Sequence, residues 1–357
     1  MRLLRVQVPE FRALKDVDIS FEPDFTPQVF PLGSLNGGGK STLLQLIFVL
    51  LNQASSYFTN LFSDITLDGN SDYKKLATIT VLIDNEKIEL SYFFCKSSKM
   101  NFFQDSVTEN YKMGFQFNNG VISIFGMAET NKVITQEEVN YFFKKASNSI
   151  FLISPSNQPY LFLPREARRD LFNTNKEKYS YFMRKLPEDL PNFFTFDFVD
   201  VLVEVFRRAR AKDFKERNKD NPFAHTEKLE SDINSLFIDG KKISSLIIEQ
   251  QRHTEDEIQG IFFTLPSGQK IYPEDLSHGE LKRLAIFVLI KYHEMQDAIV
   301  LIDEIENGFH PDWQYTIVRN LVEWGKNNQY ILATHSYELC TAVTPAHVKE
   351  LEPRLTK

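Results

Sequence analysis

The stretch SLNGGGKST, residues 34–42, combines three glycines, a lysine and three hydroxyls, the residue types that hold a phosphate chain. Consecutive backbone N–H groups of Asn36, Gly37, Gly38, Gly39, Lys40 and Ser41 can wrap phosphate oxygens, and a helix starting there adds its positive end. Lys40 is placed to reach the β- and γ-phosphates, Ser41 to hold Mg²⁺ through its hydroxyl, and Thr42 completes the binding stretch. The usual spacing is G-x-x-x-x-G-K-[ST]. Here Ser34 stands where the first glycine belongs, with Gly33 one step too early. Serine is tolerated if that position needs no positive φ. The plainer alternative is a glycine-rich turn with a solvated lysine.

Three further stretches carry groups suited to the same chemistry. In AIVLIDE, residues 298–304, the apolar run puts Asp303 at the carboxyl end of a buried strand, where open α/β sheets bind ligands. Asp303 is expected to hold Mg²⁺ through water, and Glu304 to orient and polarise an attacking water. An acidic strand end opening a helix would look the same. His335 in YILATHS lies just beyond another buried strand. A lone histidine is usually structural, but this one follows Asp303 by two elements, which favours function. In LSHGELKRLAIFVLIKY, Ser277 stands three residues before Glu280, as in a capping box. A helix start built from Ser277 and the flexible Gly279 is also an anion site.

These groups need a scaffold, and the hydrophobic pattern supplies one. PQVFPL, the glycine loop and STLLQLIFVLL read as strand, loop and buried helix, the context a phosphate loop requires. LLRVQV and VDISFE alternate with period two and form a hairpin. Between about residues 65 and 150, LATITVLIDNEKIELSYFF and MGFQFNNGVISIF read as strand pairs of an antiparallel lobe. Residues of about 165 to 255 are charged and mostly helical, and GIFFTLPSGQKIYP is a further hairpin. From Ser277 the pattern is helix, strand, helix, strand, and AIVLI and YILA suit a parallel sheet covered on both faces. Trp313, Ile317, Leu321 and Trp324 fall at helical spacing and read as core. The expected division is 1–160 for the first part of the core with the β lobe, 161–255 for a helical insertion, and 256–357 for the second part of the core.

Composition narrows the class. With 357 residues, the chain can bury one large core or two modest ones. Cys95 and Cys340 are far apart, which argues against a disulfide scaffold and fits a reducing cytosol. No apolar run reaches the ~18 residues of a membrane span, and MRLLRVQVPEF lacks the apolar core of a signal peptide. A cytoplasmic protein with no membrane association is expected. Net charge is −7, so nucleic acid would need a local basic patch. Arg207–Lys219, RRARAKDFKERNK, is one candidate, with Arg165, Arg168 and Arg169 as possible additions. A solvated helical face is the competing explanation.

Taken in order, SLNGGGKST, LSHGE, AIVLIDE, EIENGFHP and ATH resemble the ATP-binding-cassette superfamily in its RecF/SMC-like branch. They match the Walker A, signature, Walker B, D-loop and switch-histidine motifs. The match covers about the first 55 and last 80 residues, and FRALKDVDISF resembles the branch's N-terminal hairpin. The family signature is usually Leu-Ser-Gly-Gly-Gln, and His278 and Glu280 depart from it while Ser277 and Gly279 remain. LSHGE with DEIENGFHP looks more like the overcoming-lysogenization-defect and Septu-type bacterial ATPases than like transporters. Gln158, after SIFLIS, is the candidate Q-loop glutamine that would touch nucleotide and Mg²⁺, with a plain loop as the competing explanation.

The resemblance implies an α/β P-loop NTPase of ABC/SMC type, with an antiparallel β lobe and a helical insertion between Walker A and signature. It implies ATP and Mg²⁺ as ligands, Glu304 and His335 as catalytic groups, and a head-to-tail homodimer. Ser277 and Gly279 would then meet the γ-phosphate bound by the other copy. The function implied is a sensor or switch in antiphage defence, handing its signal to a separate effector such as a nuclease or toxin. No nuclease pattern is found, and the stretch after His335 is short. A RecF-like repair or chromosome-maintenance ATPase is the alternative. A transporter subunit fits less well, given the long interval between Thr42 and Ser277.

Overall fold

The computed structural model describes residues 1–34, 37–52, 73–95, 114–118, 121–127, 136–155, 162, 169–170, 177–196, 199–216, 221–237, 239–246, 260–293 and 295–351. They form two compact units. One comprises Met1–Thr195, Met295–Glu306 and Pro311–Lys357, the other Phe196–Glu294 and Asn307–His310.

In the first unit, β1 (Arg2–Phe11) and β2 (Leu14–Ser20) pair antiparallel, the hairpin their alternation predicts. β3 (Val29–Gly33) leaves this hairpin for a different sheet. β4 (Tyr73–Ile83) and β5 (Glu86–Cys95) are joined at Asp84 and Asn85, whose φ values of 52° and 65° are what a two-residue hairpin turn demands. β6 (Gly114–Asn118) and β7 (Val121–Met127) pair likewise. All but β3 form one six-stranded sheet in the order β2-β1-β4-β5-β7-β6. The expected antiparallel lobe exists, but the N-terminal hairpin is part of it.

The remaining strands are β8 (Ile150–Ser154) and β9 (Phe193–Thr195), β10 (Lys242–Leu246), β11 (Gly260–Thr264) and β12 (Lys270–Ile271), then β13 (Ile299–Asp303), β14 (Gln329–Ala333) and β15 (Lys349–Glu350). The second sheet runs β15-β3-β14-β13-β8-β9, and every neighbouring pair is parallel. Every residue of β8, β13 and β14 is buried, as their unbroken apolar runs require. The order puts the strand before the glycine loop, the strand before His335 and the strand ending in Asp303 side by side, with their carboxyl ends together.

One core joins both sheets of this unit through the helix Lys40–Asn52, which buries Leu43 through Asn52 without a break. Phe48, Phe162 and Phe193 form a cluster with ring centroids 5.4–6.4 Å apart, in which Phe162 meets each of the other two edge to face. Each such fully buried side chain contributes about 1.5–3 kcal/mol. The Tyr92 hydroxyl of β5 donates to Leu50 O at 3.0 Å. A second tie is made by Gln329 of β14, which is fully buried. Its Oε1 accepts from Leu3 N at 2.7 Å and its Nε2 donates to Leu3 O at 2.9 Å, where β1 shifts register against β4. On the helix Pro311–Trp324, Ile317 and Leu321 are core as expected, but Trp313 and Trp324 are only half-buried. Indole is large, and here it spans the edge between core and surface.

The second unit is helical around the three-stranded antiparallel sheet β10-β11-β12. Its helices Val199–Glu216 and Ala224–Asn234 pack together, tied by the buried Asp213. That carboxylate accepts from His225 N at 2.7 Å, Thr226 N at 3.1 Å and the Thr226 hydroxyl at 2.6 Å, capping the first turn of the second helix. Burial alone would raise the Asp213 pKa, but these donors hold it below the usual range. Among the described residues, no helix is long and apolar enough to cross a membrane.

Candidate functional site

The glycine loop leaves β3 and enters the helix Lys40–Asn52, with Leu43 N donating to Gly39 O at 2.8 Å. Gly37 and Gly39 have φ of +82° and +87°, which aims successive N–H groups inward and which L side chains rarely adopt. At Gly39 a Cβ would also come within 2.7 Å of Leu14 Cδ2, so the β1–β2 hairpin braces the loop from behind. Ser34 is not among the residues with positive φ, so the missing glycine costs no backbone strain. Its side chain has a contact of its own: Lys40 Nζ donates to Ser34 Oγ at 3.0 Å and to Ser34 O at 3.3 Å.

The expected residues of the first unit converge at the carboxyl ends of β3, β14 and β13. Ser41 Oγ donates to Asp303 Oδ1 at 3.0 Å. Lys40 Nζ lies 3.0 Å from His335 Nε2 and 3.4 Å from its Nδ1. Glu304 sits at φ 49° with its N–H donating to Ala333 O at 3.0 Å. A left-handed glutamate directly after a buried strand is rare and costs about 1–3 kcal/mol, a strain typical of residues whose side chain must be aimed. Burial pushes the Lys40 ammonium below its ordinary pKa, and the charges of Glu306, Asp303 and Glu304 partly offset that. Asn36 and Gln158 lie outside the described residues.

Ser277 and Gly279 belong to the second unit. Ser277 is the N-cap of the helix His278–Tyr292, and the capping box is complete: Ser277 Oγ accepts from Glu280 N at 3.4 Å, and Ser277 N donates to Glu280 Oε2 at 3.0 Å. The Glu280 carboxylate also accepts from the Ser277 hydroxyl at 2.7 Å and from Lys241 Nζ. Burial would raise its pKa, but Lys241 and Ser277 hold it below the usual range. Glu280 is therefore a charged anchor for the turn at Ser277. Lys241 carries no motif and was invisible to the sequence pattern. Neither was Lys282 foreseeable: it is 2% exposed, with Nζ 4.1 Å from the Phe196 ring centroid and 5.8 Å from that of Phe309.

The residues present fit a nucleotide and a magnesium ion. The loop offers N–H groups and one buried ammonium for phosphate, and a Cβ at Gly39 would collide with the hairpin that shapes the cradle. Ser41 and Asp303 supply an adjoining hydroxyl and carboxylate. Mg²⁺ favours such oxygen donors, needs only one or two from protein, and keeps phosphate and water for the rest. Accordingly, the absence of any cluster of three His, Cys, Asp or Glu side chains among the described residues is no obstacle.

The family model described as "AAA domain, putative AbiEii toxin, Type IV TA system" matches residues 112–341, a span that takes in LSHGE, AIVLIDE and ATH and begins after the glycine loop. Two curated relatives are similar over short stretches. The "Retron Vc95 probable ATPase" of Vibrio cholerae serotype O1 biovar El Tor is 50% identical over 52 residues, 15% of this chain and 10% of the relative. The "Retron Ec83 probable ATPase" of Escherichia coli is 41% identical over 51 residues, 14% and 9% of the two chains. The chain thus spans about a tenth of the length of these relatives. Among solved structures, the SMC head bound to the C-winged helix domain of ScpA aligns over 96% of this chain and 93% of its own, at 14% identity and a TM-score of 0.48. The SMC head domain from Thermotoga maritima aligns over 96% and 92%, at 13% identity and 0.42.

Proposed function

Because the chain belongs to the AAA-domain family that includes putative AbiEii toxins, we propose that it is an ATPase of ABC/SMC-like type, which binds Mg²⁺–ATP on the Ser34–Thr42 loop and hydrolyses it as a dimeric switch. The observation that carries this is the convergence of Lys40, Ser41, Asp303 and His335 within 3.0 Å contacts at three adjacent strand ends. In this scheme Lys40 exchanges Ser34 and His335 for phosphate oxygens. Ser41 and Asp303 hold the ion, which when bound neutralises phosphate charge. Glu304 orients the attacking water, and His335 senses the γ-phosphate from the end of β14.

Ser277 and Gly279 complete the site from a second copy, packed head to tail. A helix N-terminus capped by Ser277 suits an anion, and the Glu280–Lys241 pair fixes the turn that presents it. The switch acts in antiphage defence with a separate effector such as a nuclease or toxin. Two things support this: the family's description, and the retron ATPases among the relatives. A cytoplasmic setting is supported by the free thiol of Cys340.

The test mixes chains carrying Ser277→Arg with chains carrying Lys40→Ala. Each alone should lose turnover, while Ser277→Arg should still bind ATP. Head-to-tail pairing makes one composite site doubly damaged and the other intact, so mixing should restore part of the activity. Full turnover by Ser277→Arg alone would show that LSHGE is only a helix cap.

A RecF-like role on nucleic acid is favoured by one feature. The helix Val199–Glu216 exposes Arg207, Arg208, Lys212 and Lys215 beside Phe214, which is 72% exposed. Cations flanking an aromatic suit a phosphate backbone and stacked bases. Glu204 pairs with both Arg207 and Arg208, which weakens the patch. Duplex or single-strand binding that falls steeply with salt, and is lost in Lys212→Glu/Lys215→Glu, would favour this role. Binding that ignores the two substitutions would remove it.

A further inference from the structure

We propose that Glu306 is a positioning residue of the phosphate site, clamping the backbone of His335 so that its imidazole meets Lys40. The inference rests on the nucleotide-site assignment above but adds a residue that assignment does not use. Glu306 lies three residues beyond Asp303, in the turn that leaves β13. Its Oε1 accepts from His335 N at 2.6 Å. Neighbouring N–H groups have other acceptors: Glu304 N donates to Ala333 O, Thr334 N to Leu32 O and Ser336 N to the Thr334 hydroxyl. Glu306 is thus the acceptor that fixes the residue whose ring contacts Lys40 Nζ. The turns after β13 and β14 are joined through this bond, and a shift of either moves the histidine.

Two observations separate Glu306 from an ordinary turn acceptor. Its second oxygen, Oε2, is buried and has no hydrogen-bond partner. A half-used carboxylate in such a place is expensive, and costs of this kind persist at functional sites. In addition, of the acidic groups that favour the charged form of Lys40, Glu306 contributes most, ahead of Asp303 and Glu304. One carboxylate therefore positions the sensor backbone and balances the ammonium. The chemistry follows directly. Removing the carboxylate leaves the cradle and Lys40 in place and takes a negative charge away from arriving phosphates, so ATP affinity holds or rises. The histidine loses its anchor, so turnover falls.

The experiment compares Glu306→Ala, Glu306→Gln and Glu306→Asp in the full chain. Without nucleotide, amide exchange at His335 should speed up about tenfold or more in Glu306→Ala, the effect of losing one charge-assisted hydrogen bond. Glu306→Gln keeps an acceptor at the same reach and should stay near wild type. Glu306→Asp keeps the charge but falls one methylene short, so it should resemble Glu306→Ala. With ATP, kcat should follow the same order while Kd from calorimetry stays equal or tightens. Unchanged exchange at His335 in both Glu306→Ala and Glu306→Asp overturns the clamp. Glu306→Gln with protected His335 but a kcat as low as Glu306→Ala also overturns it, because the carboxylate then acts on the reaction itself. If Glu306→Ala does not fold, the Gln and Asp variants decide alone. Wild-type protein that binds no ATP would sink the nucleotide assignment, while the exchange measurements would still judge the clamp.

Discussion

Gly39 and Leu14 offer a way to measure how firmly the N-terminal hairpin supports the glycine loop. Gly37 and Gly39 share nearly the same φ, +82° and +87°, so alanine at either position carries a similar backbone penalty of about 1–2 kcal/mol. They differ in surroundings. A Cβ at Gly37 meets nothing within 4 Å, whereas one at Gly39 meets Leu14 Cδ2 at 2.7 Å. Leu14 is 1% exposed and cannot swing into solvent. Overpacking of that kind costs roughly 1–3 kcal/mol more. Gly37→Ala should therefore lose about 1–2 kcal/mol by chemical denaturation, and Gly39→Ala about 2–5. Leu14→Ala alone should cost about 2–5 kcal/mol by leaving a cavity. The double variant Gly39→Ala/Leu14→Ala should be more stable than the sum of its singles predicts, by about 1–2 kcal/mol, because the new methyl occupies part of the space vacated. Strict additivity, or equal losses for the two glycine variants, would refute the brace.

Lys40→Ala should weaken ATP binding by at least about tenfold in calorimetry, since a charge-assisted contact to phosphate is lost; equal affinity would remove the phosphate-loop assignment. The Lys40 pKa is lowered in the free protein and phosphate favours its charged form, so ATP binding should take up protons and weaken as alkaline pH approaches the lysine range from below. Calorimetry in buffers of different ionisation enthalpy reads that uptake, and a pH-independent affinity up to ordinary lysine titration would contradict it. Glu304→Gln should bind ATP normally and turn it over at least about a hundredfold more slowly, measured by phosphate release; unchanged turnover assigns the water to another carboxylate. Asp213→Ala should cost about 2–4 kcal/mol, for three donors are left without their acceptor. Because the folded pKa of Asp213 is depressed, its stabilisation is present above the ordinary aspartate value and lost as pH falls through the depressed one. The destabilisation by Asp213→Ala should therefore shrink in strong acid, and a constant difference across that window would count against the cap.

Much of the site was legible because its groups sit in short segments with strict local rules. Asp303 and His335 follow runs so apolar that only buried strands explain them, and Lys40 follows three glycines. The capping box at Ser277 and Glu280 is a four-residue pattern and is present as expected. What stayed hidden depends on contacts between distant segments. Nothing local says that Glu306 reaches His335 or that Lys241 reaches Glu280. The same holds for the sheets. Each hairpin was readable from its own alternation, yet the placement of β1 between β2 and β4 is fixed by side-chain packing across the sheet. Glu304 shows a third limit, since its left-handed backbone is imposed by the turn and not by any preference of glutamate.

The parallel sheet has a consequence for how the protein is made. β3, the strand that carries the glycine loop, lies between β14 and β15, and Leu3 is satisfied by Gln329 across 326 positions of sequence. A ribosome delivers about 5–20 residues per second and lets early segments fold first. Here β3 cannot finish early, because both its neighbours, β14 and β15, emerge long after it. β3 and the loop helix must wait, with apolar faces exposed, for strands not yet synthesised. A truncated polypeptide ending before β14 therefore has every residue of the glycine loop and no place to hold a nucleotide. Competence to bind arrives late and all at once.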